Sequence, residues 1–250
     1  MRVLRGRGRT VRADREHTAR LLADAADGRP GVRVWTPPRQ VAFGRRDARE
    51  SGYDRARRAA EAAGFTPYER DVGGRAAAYT GGTLAFAFSV ALDGDRGRID
   101  ERYATVARAV RSALEGVGAA VSTGEPHRSF CPGDHSLRVG DGGRSEGGKS
   151  EGGKSEGGKL AGIAQRVRTD AALVAGCLVV SRADATALAT VLEPVYDALG
   201  VPFDPESVGS VAEAGGPSDA ERVARAVEGA LIDRTDAGLP QVDRVGPEPW

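Results

Sequence analysis

Lysine is scarce in this chain: of 36 basic residues only Lys149, Lys154 and Lys159 are lysine, and arginine supplies the rest. All three sit in one stretch, "RSEGGKSEGGKSEGGKLAGIAQR", where a pentapeptide occurs three times in succession. Long apolar runs are missing too. None approaches the roughly 20 residues that span a bilayer, and the residues after Met1 lack the apolar core of a secretory signal. A cytoplasmic location with no membrane partner is therefore expected. The formal net charge is only +1, and acidic residues match the arginines almost everywhere. That excludes the segregated basic face of a nucleic-acid-binding protein. The one locally basic run, "RVLRGRGRTVR" at the N-terminus, reads as a solvated tail. Two cysteines, Cys131 and Cys177, are too few for a disulfide framework, and in a reducing compartment both are expected as free thiols.

The 250 residues suit one domain with a small appendage. Helical spacing of apolar residues marks "REHTARLLADAA", "ARESGYDRARRAAEAAG", "DERYATVARAVRSALEGVG", "ADATALATVLEPVYDALG" and "SDAERVARAVEGALI". Strands are expected at "GVRVW", "QVAFGR", "FTPYER", "TLAFAFSVAL", "AAVST", "HSLRV", "KLAGIAQRV" and "AALVAGCLVV". Strands and helices mix without regular β–α alternation, so the fold class is α+β rather than a doubly wound parallel sheet. The SEGGK repeat, poor in apolar residues, is expected as a mobile loop over 141–158 at the tip of a hairpin. A loop of that kind is tolerated because closure cost grows slowly with length, by roughly 0.6 kcal/mol per doubling.

Three stretches place glycines beside a polar or nucleophilic residue at a strand edge: "ERDVGGRAAAYTGGTLAF" (69–86), "SFCPGDHSL" (129–137) and "GGKLAGIAQR" (157–166). Glycine lets backbone approach a ligand closely, and Arg70 beside Gly73 and Gly74 would set a guanidinium next to a turn with free amides. Taken alone, that motif reads as an ordinary hairpin turn with a solvated arginine. Cys131 lies in a Phe-Cys-Pro-Gly turn that can expose a thiol, whereas Cys177 lies in an apolar strand and reads as a core residue. A reactive thiol needs a nearby cation or an oriented base; Lys159 is the candidate cation and His135 a possible proton relay. Cys131 and His135 would give a metal only two ligands where structural zinc takes four, so no metal site is expected.

Together these stretches resemble the lipoate-protein ligase and octanoyltransferase family, which shares its catalytic fold with biotin-protein ligases. Arg70, Gly73, Gly74, Gly82 and Leu84 match its Arg-x-x-Gly-Gly segment with the following Gly-x-Leu; Lys159, Ala161, Gly162 and Gln165 match its Lys-x-x-Gly segment; "VAFGR" is similar to its early strand ending in Gly-Arg. The resemblance runs from about Val34 to Val180. It implies a mixed or antiparallel central sheet flanked by helices, with a catalytic domain over 31–235, an N-terminal segment and helix over 1–30, and a C-terminal tail over 236–250. "CPGDHSL" followed by "KLAGIAQR" is most similar to the cysteine-dependent amidotransferase branch. That branch moves octanoyl or lipoyl groups from the glycine cleavage H protein to other lipoyl domains, such as the acyltransferase subunits of 2-oxoacid dehydrogenases.

Carried over residue by residue, the resemblance implies Cys131 as acyl carrier and Lys159 as stabiliser of the acyl carbonyl or its oxyanion. Arg70, Gly73, Gly74, Gly82, Gly162 and Gln165 would bind substrate, and transfer would need no cofactor. Two other readings stay open: an ATP- and Mg-dependent lipoate ligase in which Lys159 meets the α-phosphate, and a non-catalytic module that binds acyl groups or lipoyl domains. The chain departs from the family at His135, where an aromatic is usual, and in the repeat that precedes Lys159.

Overall fold

The computed structural model describes residues 1–70, 74–92, 98–140, 157–235 and 238–246. The strands are β1 (Arg2–Arg5), β2 (Gly31–Trp35), β3 (Gln40–Phe43), β4 (Thr66–Glu69), β5 (Ala77–Tyr79), β6 (Leu84–Ala91), β7 (Val121–Thr123), β8 (Leu137–Val139), β9 (Lys159–Val167), β10 (Ala171–Leu178) and β11 (Gln241–Arg244). The α-helices are α1 (Val11–Ala26), α2 (Tyr53–Ala62), α3 (Ile99–Gly116), α4 (Arg182–Leu199) and α5 (Ala220–Ile232). One sheet runs β11-β1-β2-β6-β10-β9-β8-β7, and a smaller one runs β4-β3-β5. β1 is parallel to both neighbours, while the pairs from β2 through β7 are antiparallel. This is the mixed α+β sheet with flanking helices expected from the sequence.

The alternation in β6 explains why one face of the large sheet is filled and the other is hollow. Successive strand residues point to opposite faces. Leu84, Phe86 and Phe88 fill the layer under α3 and α5, and Ala85 and Ala87 face the layer of α1, α2, α4 and the small sheet. β10 repeats the pattern on that second face with Ala171, Leu173, Ala175 and Cys177. A floor carpeted with alanine leaves room above it.

α1 is fastened over that room by a buried charge cluster. Arg33, fully buried, donates to Asp14 Oδ1 at 2.6 Å, to Gly6 O at 2.9 Å and to Thr18 Oγ1 at 2.9 Å. Asp14 Oδ2 accepts from Trp35 Nε1 at 2.7 Å. Removing one partner strands the other charge out of water, so Asp14→Ala is expected to cost about 3–5 kcal/mol of stability, read from the urea unfolding midpoint. A loss below about 1 kcal/mol would show that the cluster does not hold the helix.

The expectation of a solvated N-terminal tail is corrected. Arg2–Arg5 is an inner strand with Val3 and Leu4 buried, and Gln241–Arg244, placed by sequence in a C-terminal tail, pairs in parallel with it. Its arginines are neutralised rather than solvated: Arg2 meets Asp24 and Asp243, and Arg5 meets Glu228. At the other sheet edge β8 and β9 are antiparallel neighbours, as a hairpin requires. The repeat itself, with Lys149 and Lys154, lies outside the described residues. The chain returns tightly packed: Val139 N–H donates to Gly158 O at 2.9 Å, Gly209 N–H donates to Lys159 O at 2.9 Å, and a Cβ on Gly158 would come within 2.6 Å of Gly209 N.

Candidate active site

The turn carrying Cys131 connects β7 to β8, and one carboxylate organises it. Glu125 accepts from Lys159 Nζ at 2.9 and 3.1 Å and from Gly133 N–H at 3.1 Å, and it also receives the hydroxyls of Ser129 and Ser136. The Lys159 side chain is fully buried and donates as well to the carbonyls of Phe130 and Cys131, each at 2.8 Å. An ammonium has three protons, and four acceptor atoms surround this one. Gly162 makes room for it, since a Cβ there would lie 3.3 Å from Lys159 Cε.

Cys131 has φ +43°, a left-handed conformation that a side chain disfavours by roughly 1–2 kcal/mol. Its backbone is held on both sides. The N–H donates to Tyr196 Oη at 2.7 Å, the same hydroxyl donates to Ala76 O at 2.8 Å, and the carbonyl accepts from Lys159. Sγ accepts from Arg70 Nη2 at 3.0 Å, and Arg70 Nη2 also donates to Arg75 O at 2.6 Å. Gly74, with φ +94°, seals the contact: a Cβ there would sit 2.6 Å from Sγ and 2.7 Å from Arg70 Nη2.

Electrostatics follow from this geometry. Burial disfavours the thiolate of Cys131, but Arg70 first and Lys159 second outweigh it, so the thiol ionises below the ordinary cysteine range. Burial holds the Lys159 ammonium below the ordinary lysine range, with Cys131 and Glu125 pulling it back up. The other thiol goes the opposite way: burial, with the neighbouring Cys131, pushes Cys177 up to about 12, and it remains a thiol. Because a cation beside sulfur favours the charged form, Arg70→Met is expected to move the pH midpoint of Cys131 alkylation upward. An unmoved midpoint would show that Arg70 does not stabilise the thiolate.

Cys131 and Arg70 line a cavity of about 340 Å³ whose walls include Ala85, Gly162, Leu173, Ala175 and Cys177. The size falls at the lower end of small-ligand sites, about 300–1,000 Å³. Of the residues singled out in the sequence, Cys131, Lys159, Arg70, Gly74 and Gly162 come together here. Gly73 lies outside the described residues. Gly82 is placed elsewhere, in the turn before β6, where a Cβ would meet the carboxylate of Asp184 at 2.5 Å. Gln165 pairs in register with Val174, whose side chain belongs to the layer under α3 and α5. His135 is stacked on Tyr103, with ring centroids 4.3 Å apart and planes 10° from parallel. Tyr196 and Glu125 were missed. They lie in a helix and a loop without a motif, and only their partners reveal them.

Among the described residues no group of three or more His, Cys, Asp or Glu converges as a metal site, and no helix is long and apolar enough to cross a membrane. The fold is that of solved ligases. A lipoate-protein ligase A determined with ATP superposes with a TM-score of 0.70 at 19% identity, covering 98% of this chain and 89% of that one. The T. acidophilum protein Ta0514, determined with bound lipoic acid, gives 0.64 at 18% identity, covering 98% and 89%. The bipartite ligase of the Thermoplasma acidophilum lipoylation system, described with its E2 lipoyl domain, gives 0.63 at 16%, covering 98% and 87%. No curated protein matches by sequence. The family model of the lipoyl protein ligase A/B catalytic domain matches residues 14–232, and this chain belongs to that family.

Proposed function

We propose that the protein is a cysteine-dependent acyltransferase of protein lipoylation, carrying an octanoyl or lipoyl group as a thioester on Cys131. The observation that carries this reading is a cation-stabilised thiol at the wall of an apolar cavity: Sγ lies 3.0 Å from Arg70 Nη2. The donor and acceptor are lysines of lipoyl-carrier domains, such as the glycine cleavage H protein and the acyltransferase subunits of 2-oxoacid dehydrogenases.

In the first half-reaction the thiolate adds to the acyl carbonyl carbon of the donor amide. The carbon–nitrogen bond then breaks, and the departing lysine amine takes the proton that the thiol released. In the second, the acceptor amine adds to the thioester and loses its proton as the carbon–sulfur bond breaks, which restores the thiolate. Splitting one amide exchange into two steps is what a nucleophile contributes. Arg70 stabilises the attacking and leaving sulfur. Lys159 keeps the Cys131 loop in shape and adds positive charge beside it. The oxyanion role expected of it requires one of its N–H groups to exchange a present acceptor for the acyl oxygen.

The test is transfer between purified lipoyl domains with and without ATP. An acyl adduct on Cys131, found by mass spectrometry after incubation with acylated donor, together with ATP-independent transfer, is the expected result. Lipoate-dependent pyrophosphate release with no adduct would replace it with the ligase reading, in which ATP and Mg are required. Tight acyl binding with neither would leave a binding module.

A further inference from the structure

The cavity contains a polar group that the transfer chemistry does not use. Gln40, on β3, is only 4% exposed; it lines the cavity, and its Oε1 has no hydrogen-bond partner. Buried polar groups are nearly always paired, and an unpaired one in an apolar wall is disfavoured unless something bound supplies the partner. Its place along the cavity follows from register. Gln40 faces Tyr79 across the β3–β5 pair, and Ala42 faces Ala77. Tyr196 bridges Ala76 O and Cys131 N–H, so the nucleophile sits level with the start of β5. Ala76 to Tyr79 is three residues, about 10 Å of extended strand. The backbone of Gln40 is therefore set back along the strand from the level of the nucleophile by a span comparable with the reach of an extended eight-carbon chain.

We propose that Gln40 is a specificity residue that recognises a hydrogen-bonding or sulfur-bearing group at the far end of the acyl chain, so that the site favours a tip-functionalised chain over a bare hydrocarbon one. The inference rests on the acyl-transfer reading of the cavity. An amide offers a donor and an acceptor from one side chain. A hydroxyl matches both, the thiols of a reduced lipoyl group match both weakly, and a dithiolane ring accepts weakly from the NH₂. An octanoyl methyl matches neither. Sites built around a buried polar group reject an analogue that leaves it unpaired more strongly than they reject a change of volume.

The experiment compares octanoyl, lipoyl and terminally hydroxylated octanoyl chains, as kcat/KM for transfer and as Kd for the three free acids by calorimetry. The hydroxylated chain differs from octanoyl in hydrogen bonding with almost no change of size, so it isolates the effect of the amide. The unpaired atom is an acceptor, so wild type is expected to prefer the hydroxylated chain to octanoyl, and Gln40→Leu to shift that ratio toward octanoyl by about tenfold or more. Gln40→Met serves as a second apolar replacement if the leucine variant does not fold. A ratio unchanged in a folded variant, or an equal loss for all three chains, overturns the proposal. If no acyl group reaches Cys131 in wild type, the transfer reading fails, while the calorimetric ratio still decides whether Gln40 reads the chain tip.

Discussion

Cys131→Ala is expected to abolish acyl transfer, lowering it by at least about 10³-fold, because Cys131 is the thiol held beside the Arg70 guanidinium. Cys177 is the only other thiol. It lies in the same cavity, but with its ionisation pushed up to about 12 it is not a nucleophile at neutral pH. The variant should keep its fold, since removing a half-buried sulfur opens little space. It should also still bind the acyl acid, because the rest of the wall is untouched. Substantial transfer by a folded Cys131→Ala protein would refute the thioester mechanism.

Lys159→Met should be nearly as damaging, for a different reason. The substitution keeps most of the side chain's volume but leaves the carbonyls of Phe130 and Cys131 and the carboxylate of Glu125 without their donor. A drop in transfer of about 10²–10³-fold is expected, accompanied by a fall in unfolding midpoint, since buried acceptors without donors are costly. The thiol should also become harder to ionise, because one of the two cations beside it is gone. The wild-type thiolate is favoured by a depressed pKa, so in the variant alkylation by iodoacetamide should be slowed by the largest factor at pH values below the wild-type thiol's own midpoint, and by the least at high pH, where both thiols are ionised. Replacing both Lys149 and Lys154 by arginine is the control, expected to leave transfer nearly unchanged, because Lys159 alone begins the Lys-x-x-Gly segment. A loss matching that of Lys159→Met would remove the distinction between the three lysines.

How far the sequence alone reaches is seen in these same residues. Cys131 and Lys159 were legible from a tight turn and a strand edge written in neighbouring residues, whereas Arg70, Gly74 and Gly162 were singled out by the resemblance to the family. The helices and most strands were legible through their periodicity. Tyr196 was not: it sits on α4, 65 residues from the cysteine whose amide it holds, and an apolar helix face is all its neighbours reveal. Glu125 and Gln40 were hidden similarly, since a single polar residue has no period. β1 was read as a tail because its arginines look solvated in sequence. Their partners, Asp24, Glu228 and Asp243, come from distant parts of the chain. Gly82 was given a ligand role on motif alone, whereas its neighbour in space is Asp184 at the start of α4.

The joint at Gly157–Lys159 carries a consequence for the ammonium. Val139 and Gly158 are bonded across the hairpin, Gly158 is pressed against Gly209, and Lys159 is bridged to Val208. A pull or push from the residues between β8 and β9 therefore meets a clamp before it reaches the ammonium. The place of the ammonium is thus set by Val139, Val208 and Gly209, which grip the backbone at Gly158 and Lys159 from outside the repeat.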